Sequence, residues 1–148
     1  MDNQTTETSN SNKVLSAVHA FIQYNNKFLV IKQVVNENHI YWDLPGGKIK
    51  HLETPYEALR REVNEETGLN VEVFEPLGMW WFFRVKDGDQ IVSTIFRCTT
   101  NSFDVNIKGN PSTEEIHDYR WITPAEYATD EYEASNPSLK QLIGSLKL

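Results

Sequence analysis

Two hydrophobic rhythms run through this chain. Residues 14–24 and 27–35 are rich in β-branched and aromatic side chains and flank Asn25-Asn26, so they read as a hairpin. A polar connection over 36–41 leads to Trp42-Asp43-Leu44-Pro45-Gly46-Gly47, a short apolar strand ending in a turn that leaves backbone bare for close approach. The rhythm then changes. Thr54 followed by Pro55 and Glu57 combines an N-cap, a proline at the first helical position and a capping-box acid, and Gly68 supplies the stop, which predicts a helix over 55–67.

Strand patterns return at 70–74, 77–85 and 91–99, the last two joined by the turn Asp87-Gly88-Asp89. A polar loop over 101–112 precedes one more strand at 116–122. Thr123-Pro124-Ala125-Glu126 repeats the capping logic for a short helix, and 137–146 reads as a final one. The expected architecture is α+β, a mixed sheet covered by helices. Residues 1–12 are polar and are expected to form a disordered tail before a single domain at 13–148.

Composition narrows the functional classes. A net charge of −7 argues against a nucleic-acid partner, because phosphate contacts need clustered Lys and Arg. Cys98 is the only cysteine, so no intrachain disulfide framework can form. No apolar run approaches the roughly 20 residues that span a bilayer, and the N-terminus lacks a basic-then-apolar pattern, so a cytoplasmic protein without a membrane partner is expected. The four histidines, His19, His39, His51 and His117, are scattered without ligand spacing and read as structural or surface residues.

The chemistry concentrates on the predicted helix. At about 100° per residue, Glu62, Glu65 and Glu66 share an arc of roughly 100°, with Leu59 and Val63 on the adjoining side. Like charges at that spacing destabilise a helix, and a counter-cation relieves them. Carboxylate oxygens without His or Cys select Mg²⁺, or Mn²⁺ in its place, over zinc, and magnesium commonly shares its shell with substrate phosphates.

The spacing is a longer pattern: Gly47, five residues, Glu53, seven residues, Arg61-Glu62-Val63, then Glu65-Glu66 and Gly68-Leu69. It resembles the signature box of the Nudix (MutT-like) hydrolases, with every fixed position met. The resemblance implies an α/β/α sandwich. It also implies a Mg²⁺-dependent hydrolase that cuts a phosphoanhydride in a nucleoside diphosphate linked substrate. Residue by residue, it gives Glu62, Glu65 and Glu66 as metal ligands, with the carbonyl of Gly46 or Gly47 in reach. Glu62 is alternatively the general base, Arg61 orients the carboxylates, and Glu53 braces the loop to the helix. Several family members add a late carboxylate, for which Glu115 is favoured over Glu114.

Substrate signals are thinner. The run Trp80-Trp81-Phe82-Phe83 offers a stacking surface for a base, with Trp81 the candidate, and Trp42 stands just before the turn. ADP-ribose hydrolases of the family often carry Pro where this chain has Arg84, and dinucleoside polyphosphate hydrolases often carry Tyr near Phe83 or Val85. What remains is a MutT-type nucleoside triphosphate pyrophosphohydrolase releasing a monophosphate and pyrophosphate. The alternatives are an ADP-ribose, nucleotide-sugar or dinucleoside polyphosphate hydrolase, or a non-catalytic nucleotide sensor, although sensors tend to lose box carboxylates. The sequence leaves a homodimer open.

Overall fold

The computed structural model describes residues 12–109 and 116–147. The predicted tail, apart from Asn12, lies outside them. In chain order the elements are β1 (Val14–Tyr24), β2 (Lys27–Asn36), β3 (His39–Asp43), β4 (Gly46–Lys48), α1 (Pro55–Thr67), β5 (Glu72–Phe83), β6 (Gln90–Thr99), β7 (Ile116–Ile122), α2 (Pro124–Tyr127) and α3 (Pro137–Ser145). Among the described residues, no helix is long and apolar enough to cross a membrane.

The strands form a mixed sheet of order β3-β2-β1-β6-β5, with β4 added on β1 and β7 on β2. The β1–β6 pair is parallel; the others are antiparallel. Asn25 and Asn26 both take positive φ, 50° and 64°, as a two-residue hairpin turn demands. Yet β1 and β2 stay paired only next to that turn, at Gln23↔Phe28 and Tyr24↔Lys27. Beyond it β1 turns to β4, through Ala17↔Lys48, Val18↔Gly47 and His19↔Gly46, while β2 is held by β3 and β7. The hairpin splays.

Alternation along β1 feeds two cores. Val18, Ala20 and Ile22 pack with Ala58, Leu59 and Val63 of α1. Phe21, on the opposite face, packs with Phe28, Trp80, Tyr127, Leu139 and Ile143 under α2 and α3. Helices therefore cover both faces of the sheet, the α+β sandwich expected.

The structure departs from the sequence reading in two places. Residues 39–41 belong to β3, not to a connection, because this edge strand buries little and tolerates polar side chains. The two patterns at 70–74 and 77–85 are one strand, β5, carried past Pro76 by register shifts against β6. A proline is tolerated there because β5 is the other edge and the irregularity removes the need for its N–H. Gly78 permits close packing of the last helix, since a Cβ would lie 2.7 Å from Leu142 Cδ1.

Candidate active site

The helix that carries the glutamates is locally determined. Thr54 Oγ1 accepts the Glu57 N–H at 3.1 Å and Glu57 Oε1 accepts the Thr54 N–H at 2.9 Å. Gly68 closes the helix at φ 74°, its N–H donating to Asn64 O at 2.8 Å. Ala58, Leu59 and Val63 anchor the apolar side, which turns Arg61, Glu62 and Glu66 toward the Gly46–Gly47 turn.

Each carboxylate has a distinct place. Glu66 is buried and its Oε1 accepts the Gly46 N–H at 2.8 Å, a bond that fixes the turn against the helix. Glu62 lies directly on Gly47: a Cβ there would stand 2.5 Å from the carboxylate carbon. Gly46 is equally confined, at φ 153° with Val18 O 2.2 Å from where its Cβ would be. Gly46 meets backbone and admits only glycine, whereas a side chain at Gly47 would displace the Glu62 carboxylate.

Arg61 joins the set. Its Nε and Nη2 donate to the two oxygens of Glu53 at 2.7 and 2.9 Å, a two-pronged bond that needs the planar guanidinium. Nη1 donates to Glu62 Oε1 at 2.8 Å and lies 3.5 Å from Glu65 Oε2. Hydrogen bonding to Arg61, aided by the Lys50 N–H, holds the Glu53 carboxyl down at about 2. The Glu53 bonds in turn raise the Arg61 pKa, so it stays charged. Glu53 thus ties the loop before α1 to its middle turn.

Among the described residues, no three His, Cys, Asp or Glu side chains already stand together as a closed metal cage. Arg61 supplies the positive charge that Glu62 and Glu65 share. The donor set fits a hard divalent cation nonetheless. It consists of carboxylate oxygens, with the backbone of the Gly46–Gly47 turn beside them, and the hydrogen in place of a Gly47 side chain leaves room for Glu62 to approach. Glu115 and Glu114 lie outside the described residues.

A cleft of about 720 Å³ opens where β1 and β2 part. Gly46, Gly47 and Glu62 border it, together with Leu15, Ala17 and His19 of β1. Gln33, Tyr41 and Asp43 come from β2 and β3, Trp80 and Phe82 from β5, and Ser135 from the segment before α3. His19 is buried, with Nδ1 2.6 Å from Ser93 Oγ and its ring edge-on to Trp80 at 4.5 Å. Burial lowers its pKa to about 3, so it is neutral here. Burial also raises the Asp43 carboxyl to about 7, offset in part by Ser135, whose backbone N–H donates to Oδ1 at 3.0 Å and whose side chain also favours the charged form.

The two stacking candidates sit elsewhere. Trp42 packs against Tyr132 at 5.4 Å, with Arg120 and Lys32 over its ring at 5.3 and 5.9 Å, and does not line the cleft. Its neighbours Tyr41 and Asp43 do. Trp81 is half-exposed on the other face of β5, its N–H donating to Ser138 Oγ at 3.2 Å, while Trp80 and Phe82 face the cleft. Alternate residues of a strand point to opposite sides, so the cleft is bordered by Trp80 and Phe82 where the sequence suggests Trp81, and by Tyr41 and Asp43 where it suggests Trp42.

The NUDIX domain family matches residues 13–142 of this chain. The chain belongs to the Nudix hydrolases. Nucleoside triphosphatase NudI of Salmonella arizonae is 31% identical over 137 residues, covering 84% of this chain and 93% of that protein. A MutT-like protein of Streptomyces ambofaciens is 33% identical over 113 residues, 76% of this chain and 65% of the relative. In fold, this Nudix domain is similar to the MutT protein of Methanosarcina mazei Go1, with a TM-score of 0.74 at 23% identity over 90% of this chain and 93% of that one. Nudix hydrolases generally use a divalent metal, in keeping with the carboxylates gathered on α1.

Proposed function

We propose that this Nudix hydrolase acts with Mg²⁺ on a nucleoside triphosphate, releasing a nucleoside monophosphate and pyrophosphate. The observation that carries the reading is that Glu62 borders the same cleft as Tyr41, Trp80 and Phe82. One continuous space therefore offers acidic, oxygen-rich groups for a cation-bound polyphosphate beside an apolar, aromatic wall for a nucleoside. The likeness to relatives named nucleoside triphosphatase supports the triphosphate class.

Glu65 and Glu66, with the Gly46 carbonyl, would hold the cation, and Glu62 beside them would act as the general base. When bound, it would neutralise phosphate charge and lower the pKa of the attacking water. Glu62 receives the proton as the water oxygen attacks phosphorus; the bridging P–O bond breaks and pyrophosphate leaves. Arg61 keeps Glu62 and Glu53 in register, a positioning role. Glu66 holds the turn through the Gly46 N–H. From its place late in the chain, Glu115 would add a further carboxylate.

The test is a Mg²⁺ assay over nucleoside triphosphates, ADP-ribose, nucleotide sugars and dinucleoside polyphosphates, following phosphate and pyrophosphate release. Triphosphate turnover with pyrophosphate as product, abolished by chelator and by Glu66→Gln, is the expected result. Turnover of another class in its place would replace the substrate. A nucleotide that raises the melting temperature with no turnover at all would make the domain a sensor.

A further inference from the structure

His19 lies in the cleft wall, only 6% exposed, and both edges of its ring are fixed. On one edge Nδ1 lies 2.6 Å from Ser93 Oγ of β6. The opposite edge faces β4, where His19 is paired with Gly46 and Cδ2 stands 2.7 Å from where a Gly46 side chain would begin. Trp80 meets the ring edge-on at 4.5 Å. The imidazole is thus held in one orientation, and Nε2, the atom beyond Cδ2, is kept beside the Gly46–Gly47 turn.

Nε2 has no hydrogen-bond partner among the described residues. Unlike the indole nitrogen of Trp80, it is not sealed off by the protein. Which tautomer it carries follows from Ser93. The fully buried Ser93 hydroxyl has two acceptors in range, His19 Nδ1 at 2.6 Å and the Thr94 carbonyl at 3.5 Å. Hydroxyl hydrogen bonds to oxygen run about 2.5–3.0 Å, so only the bond to Nδ1 satisfies its proton. Nδ1 therefore accepts, and in a neutral imidazole the proton then sits on Nε2. A donor is left open where the acidic turn meets the aromatic wall.

We propose that His19 binds substrate, its Nε2–H donating to a non-bridging oxygen of the phosphate that joins the nucleoside to the polyphosphate. The assignment rests on the nucleotide reading of the cleft. On one side of the ring is Gly46, held by Glu66 of the carboxylate group; on the other are Trp80 and Phe82 of the aromatic wall. A ligand with its cation at the carboxylates and its nucleoside at the wall passes His19 with its first phosphate. Phosphate oxygens only accept, and a hydrogen bond to an ionised partner is roughly twice as strong as a neutral one.

Two measurements test this without turnover, both on the full chain with Mg²⁺. In the first, the ring nitrogens of His19 are followed by NMR, assigned through contacts with Trp80, while dGMP or dTMP, and separately deoxyguanosine or thymidine, is added. The expected spectrum is that of the Nε2–H tautomer, with the Nε2–H resonance shifted by the monophosphates and not by the nucleosides. In the second, affinities for the same four compounds are measured by calorimetry for the parent and for His19→Phe. The monophosphates should bind the variant about tenfold more weakly, with the nucleosides unchanged. An Nδ1–H tautomer, an Nε2–H resonance indifferent to the monophosphates, or an equal loss for nucleoside and monophosphate overturns the inference; the last is what a purely structural histidine would give. Should His19→Phe fail to fold, the spectrum of the parent decides. If no triphosphate is turned over, the proposed function falls and both measurements still stand.

Discussion

The site has two parts, made in opposite ways. Glu53, Arg61, Glu62 and Glu66 come from one turn and one helix, and their mutual positions follow from residues three and four apart on α1 and from the short path back to Gly46. Asp43, Trp80 and Ser135 come from β3, from β5 and from the segment before α3, and meet only because β1 and β2 separate after their hairpin turn. The first part is charged and tied together by short bonds. The second is largely apolar, with the buried Trp80 indole N–H left unbonded. The carboxylate group is encoded locally and held rigid, whereas the cleft wall depends on long-range pairing and can vary without disturbing the carboxylates.

The sharpest way to break this comparison is to disable the local part alone. Glu62→Gln and Glu66→Gln should each cut turnover by on the order of 10²–10⁴, with melting temperature and far-UV dichroism near parental values. Near-parental turnover in both, with Mg²⁺ present, would sink the site. Gly47→Ala comes next. Its Cβ would meet the Glu62 carboxylate at 2.5 Å, so the carboxylate must move, and a displacement of about 1 Å is worth roughly 10²-fold in rate. Arg61→Lys keeps the charge but not the fork to Glu53, and a loss of about tenfold in kcat with KM little changed is expected.

Legibility in the sequence followed the same division. The capping box at Thr54 and Glu57, the Gly68 stop and the placement of Glu62, Glu65 and Glu66 were readable because helical geometry converts sequence spacing directly into position. The hairpin, β6 and β7 were readable from their apolar patterns. The phase of β5 was not. Trp80-Trp81-Phe82-Phe83 is apolar at every position, so nothing in it says which residues face inward, and only packing beneath α3 puts Trp80 inside. Asp43 gave no signal either: an acid between Trp42 and Leu44 reads as part of a turn, and its burial arises from a segment far along the chain.

The smallest predicted effect tests whether the wall carries a real electrostatic burden. Burial raises the Asp43 carboxyl from 3.8 to about 7, so the folded protein binds its proton more tightly than the unfolded chain does. The associated stability is fully present below pH 3.8 and is lost as pH rises to about 7. Asn cannot titrate, and it keeps an oxygen for the Ser135 N–H. The melting temperature of Asp43→Asn relative to the parent should therefore rise steadily between about pH 4 and pH 8. Buried His19, held neutral with its pKa at about 3, works in the other direction, since it costs stability as pH falls below 6.5. It is common to both proteins and cancels in the difference. A difference that stays flat with pH would mean that Asp43 is ionised and solvated in the folded protein, and the wall would then be an open surface, not a desolvated one.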